Sequence, residues 1–342
     1  METLKQYYKL YPSIWAGYEA GELLGSGSFG DVYELKKKGT FERPIEAFKE
    51  IAVPPSSAGG ISEALFQGLD EEGAKYYYEG MRQKALEEVS ILKKLSNCDN
   101  IIKINDHKLF ELPKGQEEYG WVIFVRMELL QPLKTKILQN GINITELSKL
   151  IIDLCSALEV CRSEGIVHRD IKPENIFYSS ESRNYKLGDF GIACYFNRIT
   201  EEKGQPGTLT HMAPEVYRGN PFDYTSDLYA VGMILYKLLN ENRVPFLPDY
   251  PEKYSPVSRN QAIHRRLQGD EIPLPSIVRK ASDKLISLLT VGNITEDGIK
   301  ELSNIATNAI NADKSKRYSS ATELKQTLID WQNRHVVSQN TQ

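Results

Sequence analysis

The segment IVHRDIKPENIF carries the densest group of chemically useful side chains in the sequence. Within eight positions it holds His168, Arg169, Asp170, Lys172 and Asn175. Side chains of these types exchange protons, neutralise negative charge and coordinate cations. At average composition such a frame arises by chance in well under about one chain in a thousand. The plainer alternative is a turn in which Asp170 and Asn175 cap backbone groups, and the density of the segment favours a reactive loop.

The segment LGSGSFGDVY places Gly25, Gly27 and Gly30 in the pattern G-x-G-x-x-G. Glycines at this spacing let a backbone approach phosphates and present N–H groups to them. The pattern alone is weak, since about one sequence in ten of this composition contains it by chance. A β-hairpin turn is one alternative. A dinucleotide fingerprint is another, but it needs a helix directly after the glycines, whereas DVYELK continues as a strand.

Two further motifs follow in order along the chain. LGDFGIA contains Asp-Phe-Gly at residues 189–191, and GTLTHMAPE ends with Ala-Pro-Glu at residues 213–215. With the lysine of EAFK, Lys49, the ordered set resembles the eukaryotic-type (Hanks) protein kinases. The resemblance extends from about Tyr18 to about Trp331. Lys172 and the Gly-Thr pair at 207–208 resemble the serine/threonine class, and NENRVPFLP resembles bacterial members.

The resemblance implies how the catalytic loop transfers a phosphoryl group. Asp170 accepts the proton of the substrate hydroxyl, and Lys172 stabilises the transferring γ-phosphoryl group. Thr208 hydrogen-bonds to both of these side chains. Asn175 and Asp189 supply oxygen ligands for Mg²⁺, with Mn²⁺ as a substitute. The implied enzyme is a protein-serine/threonine kinase that uses ATP, acts on protein substrates and phosphorylates itself; the alternative is a nucleotide-binding pseudokinase that serves as a scaffold.

The nucleotide site implied by the resemblance lies in the first part of the chain. Lys49 holds the α- and β-phosphates and is oriented by a helix glutamate, best matched by Glu88, with Glu87 as the fallback. Adenine is expected between the lobes, against Met127 and the residues that follow it. The ATP-binding positions so assigned are Leu24, Gly25, Ser26, Gly27, Ser28, Phe29, Gly30, Val32, Ala47, Lys49, Met127, Glu128 and Leu130.

Regulation is implied by Arg169, which precedes the catalytic aspartate. Kinases with that arginine often order the following segment through a phosphorylated residue bound to it. The candidates are Thr200 and Thr210, with Tyr195 behind them. The alternative hypothesis is that an acidic side chain at residues 201–202 pairs with Arg169 and leaves the kinase partly active without phosphate. Glu215 and Arg317 are expected to form the family's buried ion pair, and Asp227 to anchor the catalytic loop.

The elements that position these residues change in character along the chain. Residues 18–52 alternate as short strands, residues 74–95 are helical, and the helices expected beyond residue 131 are 145–165, 223–240, 278–290, 297–311 and 319–333. A β-rich front followed by helices predicts an α+β fold with segregated lobes. The resemblance makes these a kinase N-lobe at 1–130, with an insertion at about 53–78, and a C-lobe at 131–342, with an extra helical segment at about 276–295. The tyrosines at 76–78 are expected to pack on the N-lobe.

Composition limits the remaining possibilities. The 42 basic and 46 acidic residues give a net charge of −4, which does not indicate a nucleic-acid or anionic-membrane binder. The four cysteines form no disulfide framework and suit a reducing compartment. No apolar run reaches the length of a membrane span. We expect a cytoplasmic protein, monomeric or weakly dimeric, whose partners are ATP and protein substrates.

Overall fold

The computed structural model describes residues 8, 11, 14–27, 30–40, 46–54, 64–66, 68–112, 120–195, 208–220, 223–278, 289–290 and 294–336. The chain divides into two compact units: Met1–Asn97 with Ile102–Leu129, and Cys98–Ile101 with Leu130–Gln342. The first unit is β-rich and the second is mainly helical. The predicted α+β class with segregated strands and helices is therefore confirmed.

The N-terminal unit is built on a five-stranded antiparallel sheet with the order β1-β2-β3-β5-β4. In the described part of this unit, one long helix, α1, accompanies it. The elements are β1 (Tyr18–Gly27), β2 (Gly30–Lys37), β3 (Glu46–Val53), α1 (Glu71–Lys94), β4 (Ile104–Glu111) and β5 (Trp121–Glu128). Because a strand follows the glycines directly, the dinucleotide-fingerprint alternative is wrong.

The sheet requires Gly30 of the motif to have no side chain. Its φ is +112°, and a Cβ at this position would lie 2.3 Å from the carbonyl oxygen of Glu50. A side chain here would therefore block the pairing of β2 with β3. Gly25 has open space around it, so the sheet places no such demand on it.

Both faces of the sheet are covered, which explains why β3 is buried along almost its whole length. On one face Phe48 and Phe124 pack with aromatic side chains from the N-terminal segment, Tyr8 and Trp15. On the other face Val53, Trp121 and Ile123 pack with Ala74 and Tyr78 of α1. The sheet thereby fixes both the strand that carries Lys49 and the helix that carries Glu88.

Helix α1 begins earlier than the sequence indicates. Asp70 caps it by accepting a 2.7 Å hydrogen bond from the Gly73 N–H, so its first turns belong to the segment that was predicted to be an insertion. The expectation that residues 76–78 pack on the sheet is correct for Tyr78 and wrong for Tyr76 and Tyr77, which are 85% and 55% exposed. Successive helix positions point about 100° apart, so three consecutive tyrosines cannot share one face.

The C-terminal unit is dominated by helices, and short strands flank the loop from His168 to Asn175. The elements are β6 (Gln131–Pro132), α2 (Leu133–Asn140), β7 (Ile142–Asn143), α3 (Ile144–Ser163), β8 (Ile166–Val167), β9 (Ile176–Ser179), β10 (Asn184–Leu187), β11 (Cys194–Tyr195), α4 (Pro214–Tyr217), α5 (Tyr224–Leu239), α6 (Pro256–Gln268), β12 (Leu289–Thr290), α7 (Glu296–Ala309) and α8 (Ala321–His335). Short 3₁₀ turns occupy Pro173–Asn175, Ser276–Val278 and Lys314–Lys316.

Four of the five predicted helices of this unit are present as α3, α5, α7 and α8, within two residues at most ends. The helix expected at 278–290 is wrong where the structure describes it, because Leu289–Thr290 is a strand that pairs in parallel with Ile142–Asn143. Residues 279–288 lie outside the described part, as do most of the 276–295 segment and residues 55–63 of the insertion. Backbone pairing between distant segments decides the state of such a short apolar run, and no local pattern reveals it.

All four cysteines are free and buried. Burial raises the pKa of the Cys155 and Cys161 thiols, so both stay protonated and act as small apolar side chains. Among the described helices, none is both long enough and apolar enough to cross a bilayer.

Candidate active site

One carboxylate, that of Asp227, anchors the loop after β8. Asp227, in the first turn of α5, accepts the N–H of His168 at 2.7 Å and the N–H of Arg169 at 2.8 Å. These bonds hold Arg169 at a φ of +70°, a left-handed conformation that a non-glycine residue adopts only under such constraint. Burial raises the pKa of Asp227, and His168 and Arg169 oppose that shift. The predicted anchoring contact of Asp227 is present.

His168 ties the loop to the strand end that precedes Asp189. Its Nδ1 accepts the Asp170 N–H at 3.3 Å, so its Nε2 carries the proton and donates to the Gly188 carbonyl at 3.1 Å. The imidazole is fully buried and meets the Phe190 ring edge-on at 4.5 Å. The buried imidazole therefore fixes the backbone of both candidate acidic residues.

Asp170 is held by three side-chain donors. Thr208 Oγ1 donates to Asp170 Oδ1 at 2.9 Å, and Lys172 Nζ donates to Oδ2 at 2.6 Å. Asn175 Nδ2 donates to the Asp170 carbonyl at 2.8 Å and to Oδ2 at 3.2 Å. Lys172 Nζ also lies 3.4 Å from Thr208 Oγ1. The carboxylate is thus oriented from both sides, with one cation beside it.

The second acidic residue, Asp189, has an unsatisfied oxygen. Its Oδ1 is buried and has no hydrogen-bond partner in the described part of the chain. Its φ of +57° is again left-handed. A buried carboxylate oxygen without a donor is costly, and a divalent cation satisfies it. Asn175 uses Nδ2 as a donor, which leaves its Oδ1 to coordinate.

These two residues fit Mg²⁺, which binds proteins through one or two oxygen side chains and keeps phosphate oxygens and waters as its other ligands. A metal held by protein alone needs more ligands. Over the described ranges, no group of three or more His, Cys, Asp and Glu side chains is arranged to hold a metal. The donor set therefore matches a cation shared with a phosphate substrate.

In the N-terminal unit, Lys49 on β3 faces Glu88 on α1. Lys49 Nζ donates to Glu88 Oε1 at 2.9 Å and to Oε2 at 3.3 Å. The two side chains are only 12% and 7% exposed, so this pair holds its geometry better than a surface ion pair. The strand register places Lys49 opposite Val32 on β2 and Val125 on β5.

The remaining described nucleotide-binding candidates of this unit lie on β1, β2, β3 and β5. Leu24 is 46% exposed and Ala47 is buried. The backbone N–H of Glu128 donates to the Lys103 carbonyl at 3.2 Å, and its carboxylate accepts the Lys103 N–H at 2.7 Å, so Lys103 fixes Glu128 in place. Gly25, Ser26 and Gly27 pair with β2, and Met127 pairs with Ala47. Ser28 and Phe29 lie outside the described residues, and Leu130 belongs to the C-terminal unit.

The regulatory candidates are only partly described. Arg169 Nε donates to the Ile192 carbonyl at 2.5 Å. Thr210 Oγ1 lies 3.1 Å from His211 Nδ1. Thr200 and the acidic residues 201–202 lie outside the described part. The hypothesis that one of these acidic residues pairs with Arg169 stays a prediction.

Two arginines lie against the buried ring of Tyr229. Arg317 makes paired 2.7 Å bonds to Glu215, and its guanidinium lies 4.7 Å from the Tyr229 ring centroid, which confirms the expected ion pair. Arg266 is fully buried and donates to the carbonyls of Leu209 and Met212 and to the Tyr229 hydroxyl. The motifs in the sequence do not single out Arg266. Its signal was an arginine between Ile263 and Leu267 on the apolar face of α6.

The chain matches the family model described as "Protein kinase domain" over residues 18–329. It is 27% identical over 316 residues to the serine/threonine-protein kinase PknB of Mycolicibacterium smegmatis, a match that covers 91% of this chain and 42% of that protein. It is 26% identical over 272 residues to the serine/threonine-protein kinase AtPK1/AtPK6 of Arabidopsis thaliana, covering 79% and 49%. The chain thus spans less than half the length of these relatives. Since the family model covers nearly all of it, the chain belongs to the protein kinase domain family.

Proposed function

We propose that this chain is a serine/threonine protein kinase that transfers the γ-phosphoryl group of Mg·ATP to protein hydroxyls. The observation that carries the proposal is the Asp170 carboxylate, oriented by Thr208, Lys172 and Asn175 at 2.6–3.2 Å. A carboxylate held in this way accepts the proton of an incoming hydroxyl. The names of the similar proteins support serine and threonine as acceptors.

In the proposed reaction the substrate oxygen bonds to the γ-phosphorus as the bond from that phosphorus to the bridging oxygen of ADP breaks. The hydroxyl proton passes to Asp170. Lys172 stays beside the transferring group and neutralises its charge. Phosphoryl transfer depends on such positioning and charge more than on covalent catalysis.

We assign the nucleotide phosphates to Lys49, oriented by Glu88, and the divalent cation to Asp189 and Asn175. When bound, the cation neutralises charge on the phosphate oxygens. Mg²⁺ is the proposed ion and Mn²⁺ its substitute. The buried free thiols favour a reducing, cytoplasmic location, and the monomeric or weakly dimeric state stays a prediction.

The proposal is tested by transfer from γ-labelled ATP to the chain itself and to a generic protein, in wild type and in Asp170→Asn. We expect phosphoserine and phosphothreonine, and a loss of about 10²- to 10⁴-fold in rate in the variant. Asp330→Asn, an exposed aspartate on α8, is the matched control and should retain full activity.

Two results contradict the proposal. Equal transfer by Asp170→Asn and wild type would remove the role assigned to Asp170. Mg·ATP binding without any transfer would indicate a pseudokinase that retains the fold as a scaffold.

A further inference from the structure

The C-terminal unit has a groove of about 310 Å³ beside the catalytic loop. It shares Lys172 and Thr208 with the cluster that holds Asp170, so a substrate placed at Asp170 extends directly into it. Its other polar lining residues come from the turn after Lys172, from residues 210–211, from α5 and the turn after it, and from α6 and the loop before it. We call it the basic groove; its lining includes Lys172, Glu174, Thr208, His211, Lys237 and Arg259.

Two cations of the basic groove are not compensated. Lys172 is paired with Asp170 at 2.6 Å. Lys237, half-buried at the end of α5, contacts His211 Nε2 at 3.4 Å and has no carboxylate within ion-pair distance among the described residues. Arg259, exposed on α6, likewise makes no ion pair with any described side chain. Glu174 is the single carboxylate of the described lining, which leaves an excess of positive charge.

Three other lysines of this unit that are buried or partly buried each have a carboxylate partner. Lys136 is paired with Glu146, Lys149 with Asp153 at 2.5 Å, and Lys325 with Glu159 at 2.8 Å. Lys237 is partly buried, as Lys149 and Lys325 are, but it faces a groove. A desolvated cation without a carboxylate partner is costly, and Lys237 has none within ion-pair distance among the described residues. An anion bound in the groove would therefore stabilise it.

The neighbour of Lys237 adds to this polarity. His211 is buried, and burial together with Lys237, Arg266 and Lys172 holds the pKa of its imidazole well below the usual range. It is therefore neutral at physiological pH and does not compensate the lysine. Burial also lowers the pKa of Lys237, while Glu174 opposes that shift. An anion bound in the groove would favour the charged lysine further.

We propose that the basic groove recognises an anionic side chain of the protein substrate, a carboxylate or a phosphate, close to the phosphoacceptor. Lys237 and Arg259 are the specificity-determining residues, and the kinase is acid-directed. An extended chain advances about 3.3 Å per residue, so a groove that starts at Lys172 and Thr208 is reached within about three positions of the acceptor. This inference rests on the proposed kinase function.

The test uses peptides with one serine in a neutral background. A single glutamate, phosphoserine or arginine is placed in turn at each of the three positions on either side. With γ-labelled ATP, we expect kcat/KM at the best position to be at least about tenfold higher for a peptide with an anionic residue than for one with arginine. The difference should lie in a lower KM and not in kcat. Comparing glutamate with phosphoserine identifies which anion the groove prefers.

Charge reversal shows whether the basic groove is responsible. Lys237→Glu and Arg259→Glu should each remove the acidic preference, and Arg259 is exposed, so that variant is the safer one for folding. Lys134→Glu is the matched control, since Lys134 is an exposed lysine on α2 outside the groove lining. It makes the same change in net charge and should leave the preference intact.

Failure of this inference is distinguishable from failure of the kinase function. Equal kcat/KM for all peptides in an active wild type would overturn the acid-directed groove alone, and so would an acidic preference that survives both groove variants. If no peptide is phosphorylated, the kinase function fails. Fluorescence anisotropy of the labelled peptides on Asp170→Asn then still decides whether anionic peptides bind in a Lys237-dependent way.

Discussion

Two pairs of cationic side chains in the C-terminal unit differ in whether the described residues provide them with polar partners. Around Tyr229, Arg317 is paired with Glu215 and Arg266 is bonded to two carbonyls and a hydroxyl. In the basic groove, Lys237 and Arg259 have no carboxylate among the described residues. The first pair lies under the segment that carries Thr208, and the second lies beside the same segment. Among the described residues, the charges that hold the segment carrying Thr208 therefore have polar partners, whereas Lys237 and Arg259 of the basic groove have no carboxylate.

This contrast separates a structural from a functional charge without reference to sequence motifs. Removing a buried cation that donates hydrogen bonds to backbone carbonyls lowers stability, because the carbonyls lose their donor. A half-buried cation that faces a groove costs stability while it remains, because burial has taken water away and supplied no partner. The sign of the stability change on substitution should therefore differ between the two regions.

The largest effect is expected for Glu215→Ala. This change leaves the Arg317 guanidinium, whose side chain is 1% exposed, without its carboxylate. Removing one partner of a buried pair costs about 3–5 kcal/mol in the free energy of unfolding. Urea denaturation measures it. Glu159→Ala, which breaks the more exposed pair with Lys325, serves as the control and should cost no more than about 1 kcal/mol. Similar costs for the two variants would contradict the support role of Arg317.

Arg266→Met should cost less, about 1.5–3 kcal/mol in the free energy of unfolding, because three acceptors lose a charged donor while a buried charge is also removed. The same denaturation experiment applies. Its control is Arg265→Met, the neighbouring exposed arginine paired with Asp270, for which a change within about 1 kcal/mol is expected. The support role is untenable if Arg266→Met is as mild as this control.

Lys237→Met should have the smallest effect and the opposite sign, leaving the protein as stable as wild type or more stable by up to about 1 kcal/mol. Lys136→Met is the matched control, since it removes a lysine that has a carboxylate partner and should destabilise.

The difference in stability between wild type and Lys237→Met should depend on pH, because the pKa of Lys237 is lowered in the folded chain. Between that pKa and the ordinary value of 10.5, the unfolded chain binds more protons at this site than the folded one. Wild type should therefore gain stability relative to Lys237→Met as the pH rises through this window. A marked loss of stability in Lys237→Met at neutral pH would show that the lysine is structural.

The sequence led to much of the fold because its signals are local. The helix periodicity at 145–165 and the order of the motifs specify α3 and the loop from His168 to Asn175. Arg266 and Lys237 were missed for a physical reason: whether a helical cation is structural or faces a ligand depends on which distant carbonyls and carboxylates surround it. The strand at Leu289–Thr290 is similar, because it exists only through pairing with residues that lie far away in the chain.

The first turns of α1 lower the population of states in which Lys49 and Glu88 are separated. Ala74 and Tyr78, supplied by those turns, are buried against Val53 and Trp121. A helix that swings outwards must expose the Tyr78 side chain, and exposing a side chain of this size costs about 1.5–3 kcal/mol. That cost alone makes the outward position about 10- to 150-fold rarer. The extra turns therefore stabilise the state in which Lys49 and Glu88 are paired. A signal that displaces this helix must supply that additional free energy.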